Sequence, residues 1–557
     1  MTFLLIISGV FAATLIPIFI RRLLYPCPLP GIPYDKDAAQ RIMGDYEIIS
    51  ATYNELTEWF YPFIRRRSFQ LKSPIIQYFP NPFSKPQVMV YDPRETADLI
   101  MRRTKEFDRD VFDGVFQVLI PNSTIANSTT PEWRVQRKIW QEAMHPAFLN
   151  RVVATNIYGT AKDLIKLWEM KCAGSGGRPI DIRNDFSFAT LDALWVAAFG
   201  QRLDLINSEI ERLETGKQVE TRGLYVYSTV QYVNELAQSR TGFWPAFSRW
   251  RVQRSSKYRN YIKIKDQELD RTLHDAVARF KEINNSTDNE KYDTCAMDLI
   301  LRKSIQAAER AGGPIPDLTK DVKIRDEVLI FIYAGHDTTS LTLQWFAKIM
   351  TNNQEAQTKL REALRTAFPG GSLPTITEIL TKDVPYLNAA IEESLRCGGT
   401  ISRIMRVATM DTEIFGHKIP AGTRVASPAT LSWRPEPIPE ERRSLSSQAA
   451  LEKSGGVDWT ETPAAQDLDK YIPERWLKID QDGNETFDSN TLIHNAFGGG
   501  IRGCYGKRLA MLELRIMVVL TIMSFKFLPV PAEFNSFQVI EQLLRAPRQC
   551  YVKLEAV

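Results

Sequence analysis

"FGGGIRGCYGKRLA" runs from Phe497 to Ala510 and sets one cysteine, Cys504, among five glycines and three cations, just ahead of a run with helical spacing. Three readings compete: a nucleotide-binding turn, a buried structural thiol in a glycine-rich loop, and a thiolate held as a metal ligand. Gly498, Gly500 and Gly503 satisfy G-x-G-x-x-G. That fingerprint needs a strand before it, a helix after it and an acidic residue about 20 positions on. "TLIHNAF" is a poor strand, and the next acidic residue, Glu513, falls inside the following helical run. The nucleotide reading is therefore the weakest.

The thiolate reading accounts for more. Glycines let a backbone approach a large flat ligand and turn its amides toward a sulfur. Hydrogen bonds to a ligating sulfur tune the metal it holds, and a helix N-terminus beside a cation lowers a cysteine's pKa. With no neighbouring ligands in the sequence, the metal must bring its others along, which points to haem iron. An inert buried cysteine stays as the alternative, but it leaves the glycines and Arg502 without a reason.

The bulk properties are consistent with this. A chain of 557 residues exceeds one ordinary core and allows roughly two to four domains. Seventy basic against 66 acidic residues leave a formal charge of +4, too balanced for a nucleic-acid binder. The six cysteines are scattered without a CxxC pair, which favours a reducing, cytosol-facing compartment over a disulfide framework. Five equally scattered histidines argue against zinc. At the N-terminus, "FLLIISGVFAATLIPIFI" (Phe3 to Ile20) is apolar for about the length a bilayer needs. Arg21 and Arg22 follow it, then the proline-rich "PCPLPGIP". Positive charge after the run, and none before it, reads as a retained anchor with the bulk of the chain cytosolic, not as a cleaved signal. We expect a membrane anchor and hinge over residues 1–30 and a single catalytic unit over 31–557.

Beyond the hinge, helical periodicity dominates, around Trp133, from Tyr158 to Lys171 and from Lys323 to Met350. Short β-like pieces occur at "QVMVYD" (Gln87 to Asp92), at "TEIFGHKIPAGTRV" (Thr412 to Val425), where "GHK" and "PAGT" read as successive hairpin turns, and near the C-terminus. Glu440 to Asp469 reads as a surface insertion, and no internal repeat is present. The fold expected is mainly α with small β-sheets.

Phe497, Gly500, Arg502, Cys504 and Gly506 match, one by one, the FxxGxRxCxG haem-thiolate loop of the cytochrome P-450 superfamily, which this chain resembles. Three further motifs occur in the family's order. "AGHDTTS" (Ala334 to Ser340) lies in a long amphipathic segment. Gly335 weakens a helix there by about 1 kcal/mol relative to Ala, and a threonine hydroxyl four residues after Ala334 can bond that carbonyl and bend the helix. It resembles the family's oxygen-binding helix, where Asp337 and Thr338 would relay protons to dioxygen; read without the family, "DTTS" is a helix cap. In "EESLR", Glu393 and Arg396 stand three apart on one face, the spacing of an ordinary ion pair. The resemblance makes them a buried structural triad with Arg475 of "IPERW". Trp133 and Arg137 resemble the family's WxxxR, whose two side chains contact a haem propionate, and a guanidinium suits a carboxylate because it can bond it twice. Arg406 matches another propionate-binding arginine, and His145 in "MHPAF" reads equally as a packed helix-end residue. Cys397, Gly398 and Gly399 depart from the family, as does Trp433, where a histidine is common.

The resemblance implies a membrane-anchored haem-thiolate monooxygenase carrying haem b with Cys504 as axial ligand. It would work with an NADPH-dependent cytochrome P-450 reductase, O2 and a lipophilic small-molecule substrate at the endoplasmic reticulum membrane, single-pass, in fungal-type secondary metabolism. By the same analogy Phe112, Phe116, Ile120, Phe331, Ala334, Thr400 and Ile401 line the pocket. The rivals are an oxygen-independent isomerase or dehydratase built on the same haem, and a non-enzymatic haem sensor. N-x-[ST] sites at Asn122, Asn127, Asn284, Asn285 and Asn484 should stay unmodified if the domain is cytosolic.

Overall fold

The computed structural model describes residue 21 and residues 24–81, 85–111, 115–217, 220–238, 245–285, 293–313, 317–433, 436–458 and 462–557. The apolar run Phe3 to Ile20, Arg22 and the pocket candidate Phe112 lie outside the described residues, as do 286–292 beside Asn284 and Asn285. Among the described residues no helix is long and apolar enough to cross a membrane.

Helices make most of the structure, with five small sheets among the described residues. The elements that place the site are α1 (Pro93–Met101), α2 (Pro131–Arg137), α3 (Ala154–Ser175), α4 (Arg183–Phe199), α5 (Val322–Asn352), α6 (Pro385–Gly398) and α7 (Lys507–Ser524). The largest sheet holds β1 (Ile75–Tyr78), β2 (Gln87–Val90), β3 (Phe107–Arg109), β4 (Arg403–Ala408) and β5 (Arg424–Pro428) in the order β1-β2-β5-β4-β3. Of the two hairpin turns expected after Thr412, only the first forms one: Thr412–Ile414 pairs with His417–Ile419. The chain then leaves, and β5 pairs with β2 and β4 instead.

α5 is the spine. Asp321 caps it by accepting from the amides of Lys323 and Ile324, and its 31 residues span about 46 Å. From Thr339 to Thr351 every residue is buried, as expected of a helix that runs through a core. α4 lies along it, and α7 packs on α3 beneath. Gly335 is explained by this crossing: a Cβ there would sit 2.7 Å from Leu194 Cδ2 of α4. The glycine admits a neighbouring helix, and α5 runs through it without interruption. The Thr338 hydroxyl donates to the Ala334 carbonyl at 2.7 Å, the back-bond expected from the sequence.

The departures after α6 also have packing reasons. A Cβ on Gly398 would meet Trp345 at 2.8 Å, and Gly399 turns at φ +48° against Thr430. Trp433 stacks on Tyr91, ring centroids 4.2 Å apart. The insertion from Glu440 is stitched to α1, not merely laid on the surface: Arg94 pairs with Glu440 at 2.8 Å and Arg443 with Asp92 at 2.9 Å, and Ser444 donates to Asp98 at 2.6 Å. Arg94, Arg443, Asp92 and Asp98 are all buried.

Candidate active site

The loop before α7 is shaped by what it packs on. Gly500 has φ +62°, and a Cβ there would lie 2.2 Å from the Ile100 carbonyl oxygen; one on Gly499 would lie 2.8 Å from Met101 Cγ. These glycines seat the loop on the end of α1, where sequence reasoning assigned them to ligand approach. Gly506 differs: a Cβ there meets no protein atom within 4 Å, so packing within the chain does not demand a glycine at that position.

The Cys504 amide donates to the Phe497 carbonyl at 2.8 Å, closing the loop, and its thiol is exposed. The residue reaches the surface, yet the protein packed around the sulfur keeps water off much of it and pushes that thiol up. The amides of Gly506 and Lys507 and the charges of Arg137 and Lys507 pull it down, and burial wins. The expected net lowering by the helix N-terminus is therefore not found in the protein alone, although the amides do face the sulfur as a ligating thiolate requires.

Around this loop four guanidiniums gather. Arg137 donates to the Gly503 carbonyl at 2.6 Å and lies over the rings of Trp133 and Tyr505, 5.1 and 4.8 Å from their centroids. Arg502 stacks 4.3 Å over Trp133 and donates to the carbonyls of Asn127 and Thr124 at 2.9 and 3.3 Å. Arg406, buried on β4, donates among the described residues only to the Met405 carbonyl. Arg109 stands opposite it in the β3–β4 register. Burial depresses all four, and repulsion from neighbouring guanidiniums adds to it for Arg109, Arg406 and Arg502, taking Arg502 to about 9 and Arg406 to about 10. Among the described residues none of the four guanidiniums pairs with a carboxylate, and Asp108 is already taken by Thr129. Cations held this close, one buried and three half-buried, call for an anion to meet them. Arg109 is a member that sequence reasoning missed, because only the strand pairing brings it to Arg406.

On α5, Ala334 is exposed, with Asp337 and Thr338 half-buried beside it. Asp337 lies 3.5 Å from the buried His336 and raises the hydroxyl pKa of Tyr227 on the neighbouring helix. Sequence reasoning also passed over Glu513 on α7. It is 2 % exposed, Oε1 has no partner, and burial pushes it up to about 8 against a hydrogen bond from Thr339. Burial thus favours the neutral form of a carboxyl that meets Thr339, the residue next to Thr338.

Glu393, Arg396 and Arg475 meet as expected. Glu393 accepts from Arg396 at 2.7 and 2.9 Å, from Arg475 at 2.9 Å and from Trp476 at 2.9 Å. Burial alone would raise its carboxyl; the guanidiniums outweigh it and hold the carboxyl below the usual range. His145 is an exposed cap accepting from Ala147 at 3.3 Å. Phe116 packs on the core cluster that holds Ile120, and Phe331 stacks 4.4 Å from Trp140; Thr400 and Ile401 lie at the end of α6. A separate small apolar cavity, about 40 Å³, lies among Trp195, Phe199, Val226, Ile332 and Tyr333. It presents a face of α5 other than that of Ala334 and Thr338, so cavity shape alone would misplace the chemistry.

The cytochrome P-450 family model matches residues 69–434 and 467–554. The chain belongs to the cytochrome P-450 family. It is 30% identical over 573 residues to the cytochrome P-450 monooxygenase TRI13 of Fusarium sporotrichioides, covering 96% of both chains. It is 30% identical over 585 residues to the monooxygenase GME11363 of Pestalotiopsis microspora, covering 99% of this chain and 98% of the relative. A crystal structure of a cytochrome P-450, CYP102L1, superposes with a TM-score of 0.68 at 17% identity, over 96% of this chain and all of that one. The chain is thus an enzyme of the P-450 monooxygenase type, and its family carries haem on a cysteine thiolate. The site suits that group: a thiol faced by two amides, an open glycine, and four guanidiniums that form no carboxylate ion pair among the described residues and so can meet the propionates.

Proposed function

We propose that this cytochrome P-450 inserts one oxygen atom from dioxygen into a lipophilic small molecule, by hydroxylation or epoxidation, in secondary-metabolite biosynthesis. Cys504 holds the iron; Trp133, Arg137, Arg406 and Arg502 hold the propionates, joined by Arg109; Phe497, Gly500 and Gly506 shape the loop, and Glu393, Arg396 and Arg475 brace it. When bound, the haem supplies reductive cleavage of the O–O bond, favoured by the thiolate's electron donation. The chain's part is to deliver protons in order and to exclude water. Thr338 holds a hydroxyl at the Ala334 carbonyl, on the face where α5 exposes a small side chain, and Asp337 carries the exchangeable charge toward solvent. Electrons come from an NADPH-dependent reductase. Phe3 to Ile20 followed by Arg21 and Arg22 supports a single-pass anchor in the endoplasmic reticulum membrane with the domain cytosolic.

The observation that carries the reading is the single thiol faced by the Gly506 and Lys507 amides beside four guanidiniums that make no carboxylate ion pair among the described residues and, on balance, are held below their usual pKa. Cys504→Ser should abolish the red-shifted Soret band of the reduced carbonyl complex; a band that survives means another residue holds the iron.

A further inference from the structure

Glu327 lies on α5 seven residues before Ala334 and eleven before Thr338, which puts it on the same helical face. It is 2 % exposed, yet it is not part of the site described above. Every group that meets it donates. Oε1 accepts from the Thr124 amide at 2.5 Å and from Gln136 Nε2 at 2.9 Å. Oε2 accepts from Trp140 Nε1 at 3.3 Å and from the Thr124 hydroxyl at 3.4 Å. Its neighbour Asp326 accepts from the amide and the side chain of Asn122, at 2.8 and 3.0 Å. Two consecutive carboxylates of the spine therefore hold the turn that begins at Pro121.

The other side of that turn faces the cations. The Thr124 carbonyl accepts from Trp133 Nε1 at 2.8 Å and from Arg502 at 3.3 Å. Asn127 and Thr129 supply the remaining acceptors of Arg502, at 2.9 and 3.4 Å. Arg502 has no side-chain hydrogen bond to any other segment among the described residues. Thr124 is the hinge pin: its amide goes to Glu327, and its carbonyl goes to two of the residues proposed to hold the haem carboxylates. We propose that Glu327 is a positioning residue that couples closure of segment 121–130 on α5 to retention of the haem, acting through Thr124 on Trp133 and Arg502. The coupling runs both ways, because whatever tightens the segment for haem is tightened by haem in equal measure.

The test uses full-length haem-loaded protein. Glu327→Leu removes the acceptor of the Thr124 amide and of Trp140 Nε1 and one of the two acceptors of Gln136 Nε2, which keeps the Asn122 carbonyl; Glu327→Gln keeps one acceptor oxygen and is the partial rescue. Haem transfer to an excess of apomyoglobin and hydrogen exchange over residues 121–130 are measured together. In the leucine variant haem should leave about tenfold faster or more, with faster exchange confined to 121–130, and glutamine should fall between it and wild type. The reduced carbonyl band should stay where it is, since Cys504 is untouched. Faster exchange at 121–130 with unchanged haem transfer would overturn the coupling. So would an equal rise in exchange in the remote hairpin Val539–Glu541 and Arg545–Pro547, which would mean general loosening. A wild-type protein showing no thiolate-type carbonyl band would refute the assignment of Cys504 instead, independently of this result.

Discussion

Replacing Glu513 by glutamine should stabilise the protein, and by an amount that depends on pH. The carboxyl titrates at about 8 in the folded chain, against 4.5 for a glutamate free in water, so folding favours the protonated form. Below pH 4.5 both states are protonated and the group is neutral for stability. Between 4.5 and 8 the unfolded chain gives up its proton first, and stability falls as pH rises. At about 1.36 kcal/mol per unit the penalty is roughly 3 kcal/mol at pH 7 and approaches 5 above pH 8. Glutamine keeps the acceptor for Thr339 but leaves two amide hydrogens unpaired where the neutral acid leaves one; that cost does not vary with pH, so the pH-dependent part of the exchange is the ionisation penalty. Unfolding entropy for a chain of 557 residues is on the order of 1.2 kcal/mol/K, so the gain at pH 7 is about 2–3 °C in Tm. Differential scanning of haem-loaded wild type and variant from pH 5 to 8.5 reads it directly. A Tm difference that is constant across that range, or that reverses above pH 7, would refute the account of Glu513 as an acid held protonated by burial.

Gly500→Ala should cost roughly 1–2 kcal/mol for the left-handed backbone alone, besides the clash with the Ile100 carbonyl, and so should lower Tm in haem-free and haem-loaded protein alike; Gly506→Ala should leave the haem-free Tm in place and lower haem content, and the reverse pattern would contradict the packing reason given for each. Lys138 and Arg508 are exposed, on α2's end and on α7 beside Cys504. Reversing both to glutamate should slow electron transfer from the reductase in stopped flow at low ionic strength, with the difference shrinking as salt is added, and an unchanged rate at low salt would place docking elsewhere.

What was legible in the sequence was whatever chemistry is local. Cys504 and its glycines are contiguous, Glu393 and Arg396 are one helical turn apart, and the Thr338 bond to Ala334 follows from helix geometry alone. The reasons for the glycines were not legible, because the atoms that require them, on Leu194 for Gly335 and Ile100 for Gly500, lie far away in the chain. Arg109 in "FDRD" carries no signal until β3 pairs with β4 and sets it opposite Arg406. Glu327 and Glu513 read as ordinary helix carboxylates, since the segments that cover them come from elsewhere in the chain. The insertion after Glu440 looked solvated because its charges are many; their partners, on α1, sit more than three hundred residues earlier.

The central claim, that this site activates dioxygen with protons delivered along α5, is tested most directly by Thr338→Ala. Wild type and variant, each with reductase and NADPH under air, are compared for hydrogen peroxide released per NADPH oxidised. The variant should keep its haem, its carbonyl band and its NADPH oxidation but divert reducing equivalents into peroxide, because misdirected protons release it; positioned proton transfer is worth about 10²–10⁴-fold in rate. Peroxide yield unchanged by the substitution, or turnover that needs neither reductase nor dioxygen, would contradict the account and favour the oxygen-independent class.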